Sequence, residues 1–285
     1  MKISRECYLC IYTQTFNLTK RLKLDENKAS EILRGVAKIL SKYDTNVTPP
    51  EIAAEVYGFI SEATGIKDPF YKEKKEAINE ALKFKKILEE KLKNSENALF
   101  EACKIAVAGN VIDLGVNQTY DLDKEIENIF DIEFKHNDFN ELQNKLKSAK
   151  SIVYLGDNAG ENVFDEILIK QLRKYVGKIY FFTRGKPIIN DITVNDLKNL
   201  EIFDLAEVID SGVDTPGFHI NRANENAKKL FFDADLVIAK GMGNFECLFG
   251  ECGREVFYLF KVKCEVVARA CQSDVGDYVL LKGIK

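Results

Sequence analysis

The chain has 285 residues, 46% of them hydrophobic, which is enough to bury a substantial core and excludes a disordered protein. A net charge of −4 and a pI near 5.5 exclude a general nucleic-acid binder, though not a local basic pocket for a phosphate. No apolar run reaches membrane-span length and the opening MKISRECYLC lacks a signal-peptide core, so a cytoplasmic protein with no membrane partner is expected.

Seven cysteines, an odd number scattered through the chain, fit reduced, buried or metal-binding thiols better than a secreted disulfide scaffold. Abundant Lys and Glu with no Trp suits a thermophile or an A/T-rich genome equally.

Residues 1–147 read as an all-helical domain. Thr48-Pro49-Pro50-Glu51 combines a capping residue, proline in the first turn and an acid three residues on, and the helix it starts should stop at Gly65. From Tyr71 to Leu92, apolar residues recur at Ile78, Ala81, Leu82, Leu88 and Leu92 against a Lys/Glu-rich face, the stripe of an amphipathic helix. A further helix is expected over 96–114, capped by Ser95 and stopped by Gly115. Acidic and lysine-rich helices should continue to Lys147.

After Lys150 the pattern becomes that of a second domain, 148–285. Short β-rich runs at 152–155, 178–183, 206–209, 236–239, 256–260 and 278–281 alternate with helical stretches. Their spacing suits an α/β fold with a mostly parallel sheet flanked by helices.

The strand ends carry polar residues. The first runs into Gly156-Asp157-Asn158, and Asp191 follows the second, 34 residues beyond Asp157, about one βαβ step. Ligands in open α/β sheets bind at the carboxyl ends of strands. Two carboxylates and an amide oxygen form a hard-oxygen set suited to Mg²⁺ or Mn²⁺ with waters retained, and unsuited to structural zinc. Ser211 lies in the polar turn after the third strand. Lys240, Gly241 and Asn244 follow the fourth, where glycines free backbone amides and a lysine supplies charge for a phosphate. Lys261 and Lys263 end the fifth, a costly place for charge unless an anion is near.

Each piece alone has a plainer reading. Asp-Asn after a strand is often only a turn and a cap, glycine turns are common, and strand-end lysines reach out to solvent. Cys7 and Cys10 form a CxxC that reads equally as a metal or disulfide pair or as two small core residues. No second CxxC completes a zinc site. His136 and His219 read as ordinary surface or core residues. It is the conjunction at successive strand ends that points to chemistry.

GDNAGE, the downstream PIINDIT and the later KGMGNFE resemble the damage-control phosphatase family, first catalogued as domain of unknown function 89 and also called the acidic-residue-methyltransferase-like metal-binding domain. CYLC with Gln14, Asp68-Pro69-Phe70-Tyr71 and Ala108-Gly109-Asn110-Val111-Ile112-Asp113 resemble markers of its branch with an N-terminal CxxC. The resemblance implies a helical domain packed on an α/β domain, and a divalent-metal-dependent phosphatase for small phosphorylated metabolites, sugar phosphates or damaged cofactor precursors. It carries the metal ligands onto Asp157, Asn158 and Asp191, and the phosphate-facing lysine onto Lys263, with Lys240 as second candidate. Met242 stands where glutamine is common.

The cofactor expected is a divalent ion (Mn²⁺, Mg²⁺, Co²⁺ or Ni²⁺), since oxygen ligands discriminate poorly among them. Asp157, Asp191, Glu161 and Asp165 are the candidate bases. The oligomeric state is left open. Two other readings compete: an S-adenosylmethionine-dependent methyltransferase, which lacks its glycine-rich turn here, and a non-catalytic metal- or metabolite-binding module.

Overall fold

The computed structural model describes residues 1–109 and 127–283. The Asn110–Asp113 part of the sequence motif, and the expected helix end at Leu114 and Gly115, lie outside the described residues.

Three helices open the chain: α1 (Arg5–Arg21), α2 (Glu26–Leu40) and α3 (Pro49–Thr64). Helix α3 starts as its sequence requires. The Glu51 carboxylate accepts from the Thr48 backbone N–H at 2.8 Å, and Gly65 ends the helix in the left-handed region at φ +72°. Ile32, Val36, Ile52, Val56 and Ile60 interlock with Leu18 of α1 in a core of their own. Two residues from the far half of the chain, Ile188 and Val266, join that core. Burying such side chains contributes roughly 1.5–3 kcal/mol each, so the three helices are fastened to what lies below them.

Helix α4 (Tyr71–Lys93) and helix α5 (Ala98–Ala108) serve a different core, shared with the sheet. In α4 the buried stripe is Ile78, Ala81, Phe84, Leu88 and Leu92, while Leu82 is 40% exposed. Leu82 directly follows Ala81 and so points about 100° away from the packed face. The cap of α5 is Asn97, whose side chain accepts from the Phe100 N–H at 3.2 Å; Ser95 instead supports Asn97 from outside the helix. The expectation of helices alone up to Lys147 is corrected at Phe134–Asn137, which forms strand β1 before helix α6 (Phe139–Leu146). Four residues are too few to show a period, and pairing with the last strand decides their state.

The remaining strands are β2 (Ser151–Leu155), β3 (Lys178–Thr183), β4 (Glu207–Asp210), β5 (Leu236–Lys240), β6 (Val256–Lys261) and β7 (Tyr278–Gly283). They form one seven-stranded sheet in the order β1-β7-β6-β5-β2-β3-β4, parallel except for the β6–β7 pair. Helix α7 (Glu161–Leu172) packs with α4 and α5 on one face. Helices α8 (Glu225–Asp233), α9 (Gly241–Leu248) and α10 (Glu265–Cys271) cover the other. In β2, Ile152 and Tyr154 enter the first core, Val153 and Leu155 the second. A strand buried on both faces reads as a continuous apolar run, which is why 152–155 is legible in the sequence.

The chain runs outward from β2 to β3 and β4, then returns to β5 on the other side of β2. That reversal opens a crevice at the carboxyl ends of β2 and β5, the position where doubly wound sheets take ligands. Helices α1–α3 sit over this edge through Ile188 and Val266.

Candidate active site

Strand β2 runs into Gly156, where only glycine fits: a β-carbon would lie 2.8 Å from both Ile192 and Phe181. The chain then pairs with the loop that follows β3. The Ile192 N–H donates to the Asp157 carbonyl at 2.9 Å, the Ala159 N–H donates to the Asn190 carbonyl at 2.9 Å, and Asn158 and Asp191 form an antiparallel bridge. Residues 34 positions apart are thereby side by side. The turn holds Ile189 at φ +46°, a left-handed conformation that a β-branched residue adopts only under strain of order 1–3 kcal/mol.

Asp157 and Asp191 are almost fully buried, at 6% and 3% exposure. Arg184, the residue after β3, lies between them. Its Nε donates to Asp191 at 2.7 Å, and a terminal nitrogen stands 3.5 Å from Asp157 in ion-pair contact. The Asn158 amide donates to Asp157 at 2.9 Å and to Glu161 at 2.7 Å. Asp157 is held well above the usual carboxylate range, first by burial and then by repulsion from Asp191 and Glu161. Asp191 is raised as well, by burial, with Arg184 pulling the other way. Two buried like charges are therefore incompletely offset by one guanidinium. A divalent cation would offset the remaining charge, and hard oxygens suit one, so the residues fit the group. Among the described residues no three His, Cys, Asp or Glu side chains form a metal-holding group, so protein donors would be few and water would complete the shell.

These residues open on a cavity of about 360 Å³ between the sheet edge and α1–α3. Asp157, Asn158, Asp191 and Lys263 are in its wall, with Pro49, Pro50 and Ala53 of α3 opposite, and with Met242 and Gly243 from the first turn of α9. That volume is at the small end of metabolite pockets. The Lys263 charge is felt at Asp157, where it favours the carboxylate form.

Four other residues from the sequence reading lie near the site without lining the cavity. The Lys240 ammonium turns under the sheet edge and donates to Asp165 at 2.7 Å and to the Ala106 carbonyl at 2.6 Å, with Glu161 at 3.4 Å. Burial disfavours its charge, but Asp165 and Glu161 outweigh that and raise its pKa. Asn244 ties three segments: it accepts from the Phe218 N–H at 2.6 Å and donates to the carbonyls of Lys240 and Gly156 at 2.6 and 3.1 Å. Ser211 donates to the Thr183 carbonyl at 2.5 Å, holding the ends of β3 and β4 together. Gly241, at φ +75°, lies against the Asp157 carboxylate.

Of the candidate bases, Asp165 faces Tyr154 and Lys240 rather than the cavity. Burial pushes its pKa up to about 6, with Lys240 pulling it down. Arg184 was visible in the sequence only as a polar residue after a strand; its role became apparent once Asp157 and Asp191 were adjacent. The loop carrying Asp191 is also clamped from α4. Lys74, buried, bonds Asp196 at 2.8 Å and Asp68 of the Asp-Pro-Phe-Tyr stretch at 2.7 Å, and Asp196 in turn accepts from the Thr193 N–H. Cys7 and Cys10 are free thiols in the cavity wall, and Gln14 donates to the Cys10 sulfur at 3.3 Å.

A family model described as "Damage-control phosphatase ARMT1-like domain" matches residues 3–279. A damage-control phosphatase of Pyrococcus horikoshii is 33% identical over 99% of this chain and 98% of its own, and one of Archaeoglobus fulgidus is 30% identical over 98% of each. A Methanocaldococcus jannaschii protein named as uncharacterised is 34% identical over 99% of this chain and 96% of its own. The crystal structure of the Pyrococcus horikoshii DUF89 family protein superposes with a TM-score of 0.93 at 32% identity, covering 100% of both chains. With the sequence matched from end to end and the fold shared, the chain belongs to the damage-control phosphatase ARMT1-like (DUF89) family.

Proposed function

We propose that the chain is a divalent-metal-dependent phosphatase acting on small phosphorylated metabolites, sugar phosphates or damaged phosphometabolites among them. The supporting observation is the convergence of Asp157, Asn158 and Asp191 on one metabolite-sized cavity that also holds Lys263. Membership of a family whose named relatives are damage-control phosphatases supports it further.

Asp157, Asn158 and Asp191 would hold the ion (Mn²⁺, Mg²⁺, Co²⁺ or Ni²⁺). When bound, it supplies positive charge for a phosphoryl oxygen and lowers the pKa of a water. Lys263 offers charge to the equatorial oxygens, which carry the developing negative charge as the ester P–O bond lengthens. The first turn of α9 brings the backbone at Met242 and Gly243 to the same wall. Arg184 orients both carboxylates from behind. Asp157, Asp191 and Glu161 are the candidates to take the proton of an attacking water, whereas Asp165 is committed to Lys240 and Tyr154. Water attacks phosphorus directly, because no second Asp stands two residues after Asp157 to serve an aspartyl-phosphate route.

The test is phosphate release from p-nitrophenyl phosphate and a panel of sugar phosphates with each of the four ions, and again with EDTA. Activity that needs the ion and falls at least 10³-fold in Asp157→Ala and Asp191→Ala supports the reading. EDTA-insensitive activity, or variants that keep wild-type rates, refutes it. A trapped phospho-aspartate at Asp157 overturns the direct-attack route alone.

A further inference from the structure

The wall of the cavity carries two acids that the chemistry above does not use, and one of them, Glu6, is already held by Ser4 and Arg269. Glu246 lies in α9, five residues after Gly241, and lines the same cavity as Asp157, Asp191 and Lys263. At 1.5 Å per residue this sets it about 7.5 Å along the helix from the metal-facing turn. Cys10 and Cys264 lie close to it, and neither side chain is a strong hydrogen-bond donor. The Met1 ammonium is close, but it bonds the Glu246 backbone carbonyl rather than the carboxylate. No hydrogen bond or ion pair to the Glu246 carboxylate occurs among the described residues. Burial consequently pushes its pKa up to about 7, with the Met1 charge pulling it down. Glu246 is half-buried, and a ligand that fills the cavity strips the water from its carboxylate, which is costly unless the ligand brings a donor.

The cavity wall therefore carries both signs. Lys263 and a bound cation suit a phosphate, while Glu246, in the same wall as apolar Ile11, Pro49, Pro50 and Ala53, suits a positive charge. We propose that Glu246 is the specificity-determining residue of the cavity and receives a protonated amine on the organic part of the ester, so that aminoalkyl or amino-sugar monophosphates are preferred substrates. This rests on the phosphatase reading and narrows its substrate class.

The experiment compares isosteric pairs that differ only in the amine: glucosamine 6-phosphate with glucose 6-phosphate, and 3-aminopropyl phosphate with 3-hydroxypropyl phosphate. Wild-type protein, Glu246→Gln and Glu246→Asp are assayed with Mn²⁺, with p-nitrophenyl phosphate alongside. A charge-assisted hydrogen bond corresponds to roughly a 10- to 100-fold preference in kcat/KM for the amine member, expressed mainly in KM. Glu246→Gln should collapse the ratio to near one, and Glu246→Asp should keep its direction. Wild-type protein that hydrolyses p-nitrophenyl phosphate without preferring the amines overturns this inference and leaves the phosphatase reading standing. A preference that survives in a folded Glu246→Gln also overturns it. Absence of phosphate release from every ester overturns both.

Discussion

The carboxylate of Asp157 takes the space beside Gly241 that any other residue would need: a β-carbon built on Gly241 falls 1.9 Å from Asp157 Oδ2. The backbone there has φ +75°, which disfavours a side chain for a second, independent reason. Gly241→Ala must therefore displace Asp157 or distort the start of α9. The expected result is a loss of phosphatase activity of at least 100-fold, with a destabilisation of about 1–3 kcal/mol. Steady-state kinetics and a denaturant melt measure the two effects, and near-wild-type activity in this variant would contradict the placement of Asp157.

Metal and stability should be linked through the same carboxylate. Asp157 is raised by burial and by Asp191 and Glu161, so its charge opposes folding when no cation is present. Mn²⁺ at a hundredfold excess over its Kd should stabilise the protein by about 2.7 kcal/mol, and EDTA should remove that gain. Asp157→Asn should raise the melting temperature of the metal-free protein and abolish the metal-induced shift. Thermal melts with and without Mn²⁺ decide it; a wild-type-sized shift in the variant rules Asp157 out as a ligand.

Lys240 is expected to act on stability. Its ammonium is fully buried and paired with Asp165, which also accepts from Tyr154 at 2.7 Å. Removing one member leaves an uncompensated buried charge, so Lys240→Met should cost about 3–5 kcal/mol. Adding Asp165→Leu to it should restore a large part of that loss, because the orphaned carboxylate is gone. Urea melts of the single and double variants test this. Equal stability of the two indicates that the pair is not coupled.

Stability should fall as pH rises through neutrality in the metal-free protein. Glu246 has an ordinary value of 4.5 and a folded value of about 7, so the folded state binds its proton more tightly than the unfolded state does. Its contribution is complete below about 4.5 and is lost as pH rises through about 7. Asp165 behaves likewise between 3.8 and about 6. Lowered acids such as Glu55 and Asp235 act in the opposite sense, but only at and below their ordinary range; His219, lowered by burial, also opposes the decline near 6.5, but it is one group against Glu246, Asp165 and Asp191. Melting temperatures should therefore decline between pH 5 and 8, and Glu246→Gln should flatten the upper part of that decline. A stability that climbs over this interval would be the wrong sign.

What could be read directly from the residues was whatever has a local cause. Strands buried on both faces show as apolar runs; five of the seven strands, the largely exposed edge strand Glu207–Asp210 among them, lie within one residue of their expected bounds, and the sixth, Tyr278–Gly283, runs two residues past its expected end. Thr48 and Glu51 start α3 through contacts three residues apart, and Gly65 ends it for reasons contained in its own backbone. Strand β1 escaped because its state depends on β7, more than a hundred residues away. Leu82 was misplaced on the buried stripe, since an apolar residue beside a packed face looks the same in sequence as one within it.

For the site, the residue types after β2 and β3 announced oxygen ligands and a phosphate-binding edge, because carboxylates and glycines at strand ends have few other uses in combination. Their convergence belongs to tertiary structure: the Asn158–Asp191 bridge comes from pairing of two loops, and no periodicity encodes it. The same holds for direction. Lys240 ends β5 and Lys263 follows β6 by two residues, yet one ammonium is drawn beneath the sheet by Asp165 while the other residue lines the cavity. Sequence by itself determined which chemical groups the sheet edge would carry; which of them meet, and which way each side chain turns, was decided by the buried charges around them, since a charge in a protein interior goes where its partner is.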